Sequence, residues 1–109
     1  MAQGSDVTIH FMTEEIPYHK EALSMADLGM IPEGAYRNRT YASEGVSQTK
    51  KINRALEDIL YDPQTSGGLM IAVSENDAKN LLEDLQNTIP CAKIIGYIEE
   101  KEEKSIILE

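Results

Sequence analysis

The segment Asp62-Pro63-Gln64-Thr65-Ser66-Gly67-Gly68 gathers the chain's densest set of small polar donors and acceptors. Gly67 and Gly68 permit positive φ and let another group come close to bare backbone. Gln64, Thr65 and Ser66 add donors and acceptors of several geometries. Free backbone N–H groups beside two hydroxyls would make a small anion or phosphate pocket. The same residues also suit a tight helix-to-strand turn built on Asx and Ser/Thr turns, and the residues alone leave both readings open. A second stretch, Tyr36-Arg37-Asn38-Arg39, places two guanidinium groups around an asparagine. Their forks could clamp phosphate or carboxylate oxygens, or form local salt bridges with the surplus of surface acids.

Other chemistries fit less well. His10 and His19 show neither H-x-x-x-H nor H-E-x-x-H spacing, and the carboxylates are scattered, so no protein-only metal site is expected. Cys91, the one cysteine, follows Pro90 with no histidine nearby. It reads as a buried structural thiol, and it excludes an internal disulfide framework and a multi-thiolate zinc site. Ser66 has Gln64 where a nucleophile elbow requires glycine. No glycine precedes a lysine, so the Walker A pattern is absent.

The elements that must position these residues follow from hydrophobic spacing. Val7, Ile9 and Phe11 alternate with Thr8 and His10, the period of a half-buried strand. Ala22, Met25 and Ala26 carry a helix over about 18–28, stopped by Gly29 with Pro32 beyond. Residues 29–47 are predicted as a long irregular loop. Ile52, Ala55, Leu56, Ile59 and Leu60 form a one-face helical stripe that ends at Tyr61, before Asp62-Pro63. The apolar run Leu69 to Val73 predicts a central strand covered on both faces. Ser74 and Asp77 resemble a capping box opening a helix that buries Ala78, Leu81, Leu82 and Leu85. Lys93–Ile98 reads as a strand, Glu99–Lys104 as a solvated hairpin tip and Ser105–Leu108 as the returning strand. Residues 1–6 read as an unordered or expression-derived lead-in, and 7–109 as a single α+β domain.

Composition sets outer bounds. In 109 residues, 41% hydrophobic, one modest core can form. A net charge of −9 argues against nucleic acid and anionic membrane surfaces as partners. With no long apolar run and no basic-then-apolar N-terminus, the chain reads as cytoplasmic.

The stretch from Asp62 to Leu69 resembles the signature of the C-terminal domain of selenide, water dikinase, also called selenophosphate synthetase. The stretch from Ala22 to Arg39 is similar to a second region of that family, and Lys93-Ile94-Ile95-Gly96 follows at the expected distance. The aminoimidazole ribonucleotide synthetase superfamily shares the D-P-x-x-S-G-G idea more loosely. The resemblance implies a layered domain, a mixed sheet packed by helices, forming one wall of an active-site cleft. It also implies that the parent enzyme converts selenide, ATP and water to selenophosphate, AMP and phosphate. Magnesium, ATP and the catalytic residues would be held mainly by an N-terminal domain outside this chain, so the isolated chain is expected to be inactive and cofactor-free. Its implied partners are that N-terminal domain and, in the full-length enzyme, a second copy as a homodimer. The implied cleft residues are Asp62, Gln64, Thr65, Ser66, Gly67, Gly68, Arg37, Asn38 and Arg39. A free-standing, non-catalytic module that binds a small anion or a protein is the alternative.

Overall fold

The computed structural model describes residues 1–109 as a mixed α+β fold. Its order is α1 (Ala2–Ser5), β1 (Val7–Phe11), a 3-10 turn at Thr13–Glu15, α2 (Lys20–Asp27) and α3 (Glu33–Ala42). There follow β2 (Val46–Gln48), α4 (Arg54–Leu60), α5 (Glu75–Gln86), β3 (Gly96–Glu100) and β4 (Ile106–Leu108). The four strands make one mixed sheet in the order β2-β4-β1-β3. β1 pairs antiparallel with β3, setting His10 opposite Tyr97, and parallel with β4, setting His10 opposite Ile107. The core is small: Ile9, Ile107 and Leu108 from the sheet, with Ala26, Ala35, Ile52 and Ala55 from the helices and the approach to α4.

Local rules account for several boundaries. α2 ends where Gly29 adopts φ 77°, the left-handed conformation that glycine takes without a Cβ penalty. Asn53 caps α4 by accepting from the N–H groups of Ala55 (2.8 Å) and Leu56 (3.2 Å). Ser74 caps α5 by accepting from the Asp77 N–H, and its hydroxyl donates to the Asp77 carboxylate at 2.6 Å.

Six sequence expectations are corrected. Residues 29–47 are not an irregular loop: they hold α3 and β2. The helix is masked because the residues it turns inward, Ala35, Arg39 and Ala42, are two small alanines and an arginine and show no apolar stripe. Leu69–Val73 is not a buried central strand, since all four strands pair with one another and Leu69 is 92% exposed. The α5 stripe of Ala78, Leu81, Leu82 and Leu85 is only half-buried. Cys91, in the turn after that loosely seated helix, is exposed. Finally, β3 and β4 form no hairpin, because β1 lies between them. The lead-in, too, has structure: Ala2–Ser5 is one helical turn, with Ala2 buried.

Thr8 explains how the chain crosses over β1. Its side chain is fully buried, donates to the Lys104 carbonyl (2.7 Å) and accepts from the Glu102 N–H (2.9 Å). The 101–105 connection is thereby clamped to the central strand. Thr8→Val keeps the volume and leaves the Lys104 carbonyl and the Glu102 N–H without their partner on the buried strand. We expect a loss of about 1–3 kcal/mol, seen as a lower urea midpoint at unchanged slope.

Candidate functional site

The arginine-bearing stretch, on α3, packs against the end of α4 from which the glycine-ended loop departs. Gly34, in the first turn of α3, faces Pro63; a Cβ there would come within 2.7 Å of Pro63 Cγ. One turn on, Asn38 Nδ2 donates to the Tyr61 carbonyl at 2.9 Å, satisfying a group at the C-terminal end of α4. Arg39 reaches Asp58, which is buried in α4, and its guanidinium lies over the Tyr61 ring at 5.1 Å. Arg54 meets the other oxygen of Asp58 at 3.4 Å, and Glu57 lies 3.6 Å from Arg39 Nε. Two acids and two guanidinium groups thus balance across the helix pair. Arg39 Nε is buried without a hydrogen bond, so the network is held mainly through its terminal nitrogens. Burial also pushes the Tyr61 hydroxyl above its ordinary pKa.

Arg39 therefore points into the protein, and Asn38, though exposed, ties the end of α4; together they fix where α4 ends and Asp62 begins. Arg37 lies outside that grip, exposed and 3.6 Å from Glu33 one turn earlier. Beyond the junction, Asp62 is half-buried, and Gln64 through Gly68 are exposed. The Thr65 and Ser66 hydroxyls bond nothing within the chain, and the backbone N–H groups of Thr65, Ser66, Gly67 and Gly68 find no acceptor there. No Asx or Ser/Thr turn consumes them. Neither Gly67 nor Gly68 has a positive φ. At Gly67 a Cβ would collide with the Gln64 amide oxygen, whereas at Gly68 it would meet nothing within 4 Å. Gly68 is thus required neither by φ nor by packing, and it leaves the backbone bare to solvent.

A second polar cluster lies on the sheet, where strand pairing unites residues that the sequence scatters. Buried His10 sets Nδ1 2.8 Å from Glu109 Oε1 and Nε2 3.0 Å from Glu102 Oε1. Burial lowers the His10 pKa, but the hydrogen bonds and charges of Glu109 and Glu102 outweigh it, leaving the imidazole above its ordinary 6.5. The hydrogen bonds from His10 and Tyr97 hold Glu109 below the usual carboxylate range. Only alternation along β1, which puts Thr8 and His10 on one face, hints at this cluster in the sequence.

The fold and the site define an α+β domain that presents an open, glycine-ended donor loop from a helix pair. No family model matches the chain. Individual relatives do. It is 41% identical over 109 residues to a selenide, water dikinase of Clostridium botulinum (strain Eklund 17B / Type B), covering the whole chain and 32% of that relative. It is 45% identical over 107 residues to the selenide, water dikinase of Clostridioides difficile (strain 630), covering 97% of the chain and 31% of the relative. For Pelobacter propionicus the figures are 39% over 110 residues, 100% and 32%. The chain is thus homologous along its whole length to one segment of the selenide, water dikinases, and spans about a third of the length of these curated relatives.

Two measurements test this geometry. Arg39→Ala strips a buried carboxylate of the nearer of its two guanidinium partners and should cost about 2–3 kcal/mol, against less than about 0.5 kcal/mol for Arg37→Ala, in denaturant melts of the two variants. The raised His10 pKa means that the folded state binds that proton more tightly than the unfolded chain. Its contribution is fully present below pH 6.5 and is lost as the pH rises through the higher folded value. In chelator-containing buffer, the wild type should lose stability across that rise relative to His10→Gln, with the two curves parallel above it.

Proposed function

We propose that the chain is the C-terminal domain of a selenide, water dikinase and forms one wall of that enzyme's cleft with the loop 62–68. The parent reaction would convert selenide, ATP and water to selenophosphate, AMP and phosphate. The observation that carries this reading is the row of unbonded donors from Thr65 to Gly68, on a domain whose homology runs through relatives three times its length. Phosphoryl transfer is mostly positioning and charge stabilisation, and backbone N–H groups beside hydroxyls suit the oxygens of a polyphosphate.

The residues fit ATP better than its magnesium. Neutral donors match phosphate oxygens, whereas Asp62 is the loop's only carboxylate and a lone carboxylate makes no magnesium cage. Magnesium and most of the nucleotide contacts belong, in this reading, to the N-terminal domain. Thr65, Ser66, Gly67 and Gly68 face the ligand, while Asn38 and Arg39 act through the loop by fixing its origin. Arg37 is the exposed guanidinium at the rim, with Glu33 one turn earlier beside it. The exposed run Leu69, Met70 and Ile71 gives the partner domain an apolar surface to cover. By the same resemblance the full enzyme would be a homodimer, and the sequence reading would place it in the cytoplasm. No helix here is long and apolar enough to cross a membrane.

The test uses the full-length enzyme and three single variants: Thr65→Ala, Ser66→Ala and Gly68→Val. Selenide-dependent AMP formation should fall with melting temperature unchanged. Losing a hydroxyl that touches a charged oxygen costs about 1–3 kcal/mol of transition-state stabilisation, roughly five- to 150-fold in rate. Activity that declines only in step with thermal stability would make the loop a structural turn.

A further inference from the structure

We propose that His10, Glu99 and Glu102 bind one first-row divalent transition-metal ion, zinc above all, with Glu109 orienting the histidine from behind. The site lies on the sheet, apart from the α3–α4 junction, and its case is independent of the cleft reading.

The ligand atoms of the three residues lie within 4.8 Å of one another. His10 Nε2 is 3.0 Å from Glu102 Oε1 and 3.7 Å from Glu99 Oε2. A tetrahedral zinc with bonds of about 2.1 Å has ligand-to-ligand edges of about 3.4 Å, between these two separations. The carboxylate ends of Glu99 and Glu102 are exposed, so small rotations can bring them onto one ion. Glu102 itself is anchored, since its backbone N–H donates to the buried Thr8 hydroxyl.

The imidazole is already built as a ligand. It is buried, only 7% exposed, which separates this cluster from a patch of surface acids. Nδ1 faces the Glu109 carboxylate at 2.8 Å, and a proton held there leaves the Nε2 lone pair for a metal. Tyr97 stacks on the ring, centroids 4.6 Å apart and planes 11° from parallel, and its hydroxyl donates to the same Glu109 oxygen at 3.0 Å. Ring rotation is therefore restrained by a stack and a hydrogen bond.

Charge supplies an independent reason. Glu99, Glu102 and Glu109 all face His10, and no lysine or arginine pairs with any of them. The two lysines of the same turn are engaged elsewhere, Lys101 on the Ser105 hydroxyl at 2.8 Å and Lys104 on the Glu44 carbonyl at 3.0 Å. With the Nε2 lone pair free the group carries three negative charges, and a divalent cation cancels two of them. One imidazole nitrogen with two carboxylates suits zinc, cobalt or manganese, whereas magnesium and calcium prefer all-oxygen shells. Three protein ligands leave a fourth position for water.

Cobalt(II) is the spectroscopic probe, titrated into the 109-residue chain and then displaced by zinc. The wild type should take up a single ion with visible d–d absorption. Affinity should fall at least about tenfold in the double variant Glu99→Gln/Glu102→Gln, and by about 10–100-fold in Glu109→Gln. The control Glu100→Gln/Glu103→Gln makes the same charge change on the same turn and should bind as the wild type does. Because Glu99 and Glu102 are exposed, their variants should melt as the wild type does at a pH where His10 is neutral, which separates lost binding from lost folding. Failure of the wild type to bind cobalt at millimolar concentration would overturn the site. So would equal weakening in the control, which would mean diffuse attraction to an acidic turn.

Discussion

Asp58 is a carboxylate buried between two helices, and the geometry of the loop depends on how its charge is met. An isolated ionised carboxylate in that position would be strongly disfavoured. Here it receives Arg39 from α3 and Arg54 from its own helix, with Tyr61 covering the Arg39 guanidinium. Such a pair contributes less to net stability than to register, because the alternatives leave a buried charge alone. The register it sets is that of α3 on α4. Asn38 then falls against the Tyr61 carbonyl, and Gly34 admits Pro63. Everything from Asp62 onward leaves the helix pair from a fixed point, and the Thr65–Gly68 donors face solvent rather than folding back.

The sheet solves a different problem with similar means. Its central strand is five residues long, and two of its three innermost side chains, Thr8 and His10, are polar. Thr8 spends both hydrogen-bonding directions on the 101–105 connection, and His10 spends both ring nitrogens on carboxylates. A core with few large apolar side chains is thereby held by specific polar contacts, which gather three glutamates around one imidazole.

How much of this can be read from the sequence differs by element. The helices at Lys20, Arg54 and Glu75 are legible because an apolar stripe and a cap or stop residue coincide in each. α3 is not, since its packed face is made of alanines and Arg39 and its first turn carries a glycine that only the approach of Pro63 explains. The run from Leu69 to Val73 has strand composition without a strand neighbour, and composition cannot supply the ladder. Both polar stretches stand out as residue types, but the packing of one against the end of α4 from which the other departs does not. The inward aim of Arg39 and the outward aim of Arg37 are likewise tertiary facts. The sheet cluster is the least legible feature, because His10 and its carboxylates lie about ninety positions apart and only strand order unites them.

The amides from Thr65 to Gly68 have no acceptor within this domain, and the proposed function has them covered when the complete enzyme binds its phosphate-bearing ligand. Amide hydrogen exchange resolved at these four residues tests it most directly. In the 109-residue chain they should exchange at close to free-peptide rates while the α4 amides stay protected. In the full-length enzyme with a non-hydrolysable ATP analogue and magnesium they should slow at least about tenfold relative to the ligand-free enzyme. Equal exchange with and without the nucleotide, or strong protection already in the isolated chain, would contradict the account.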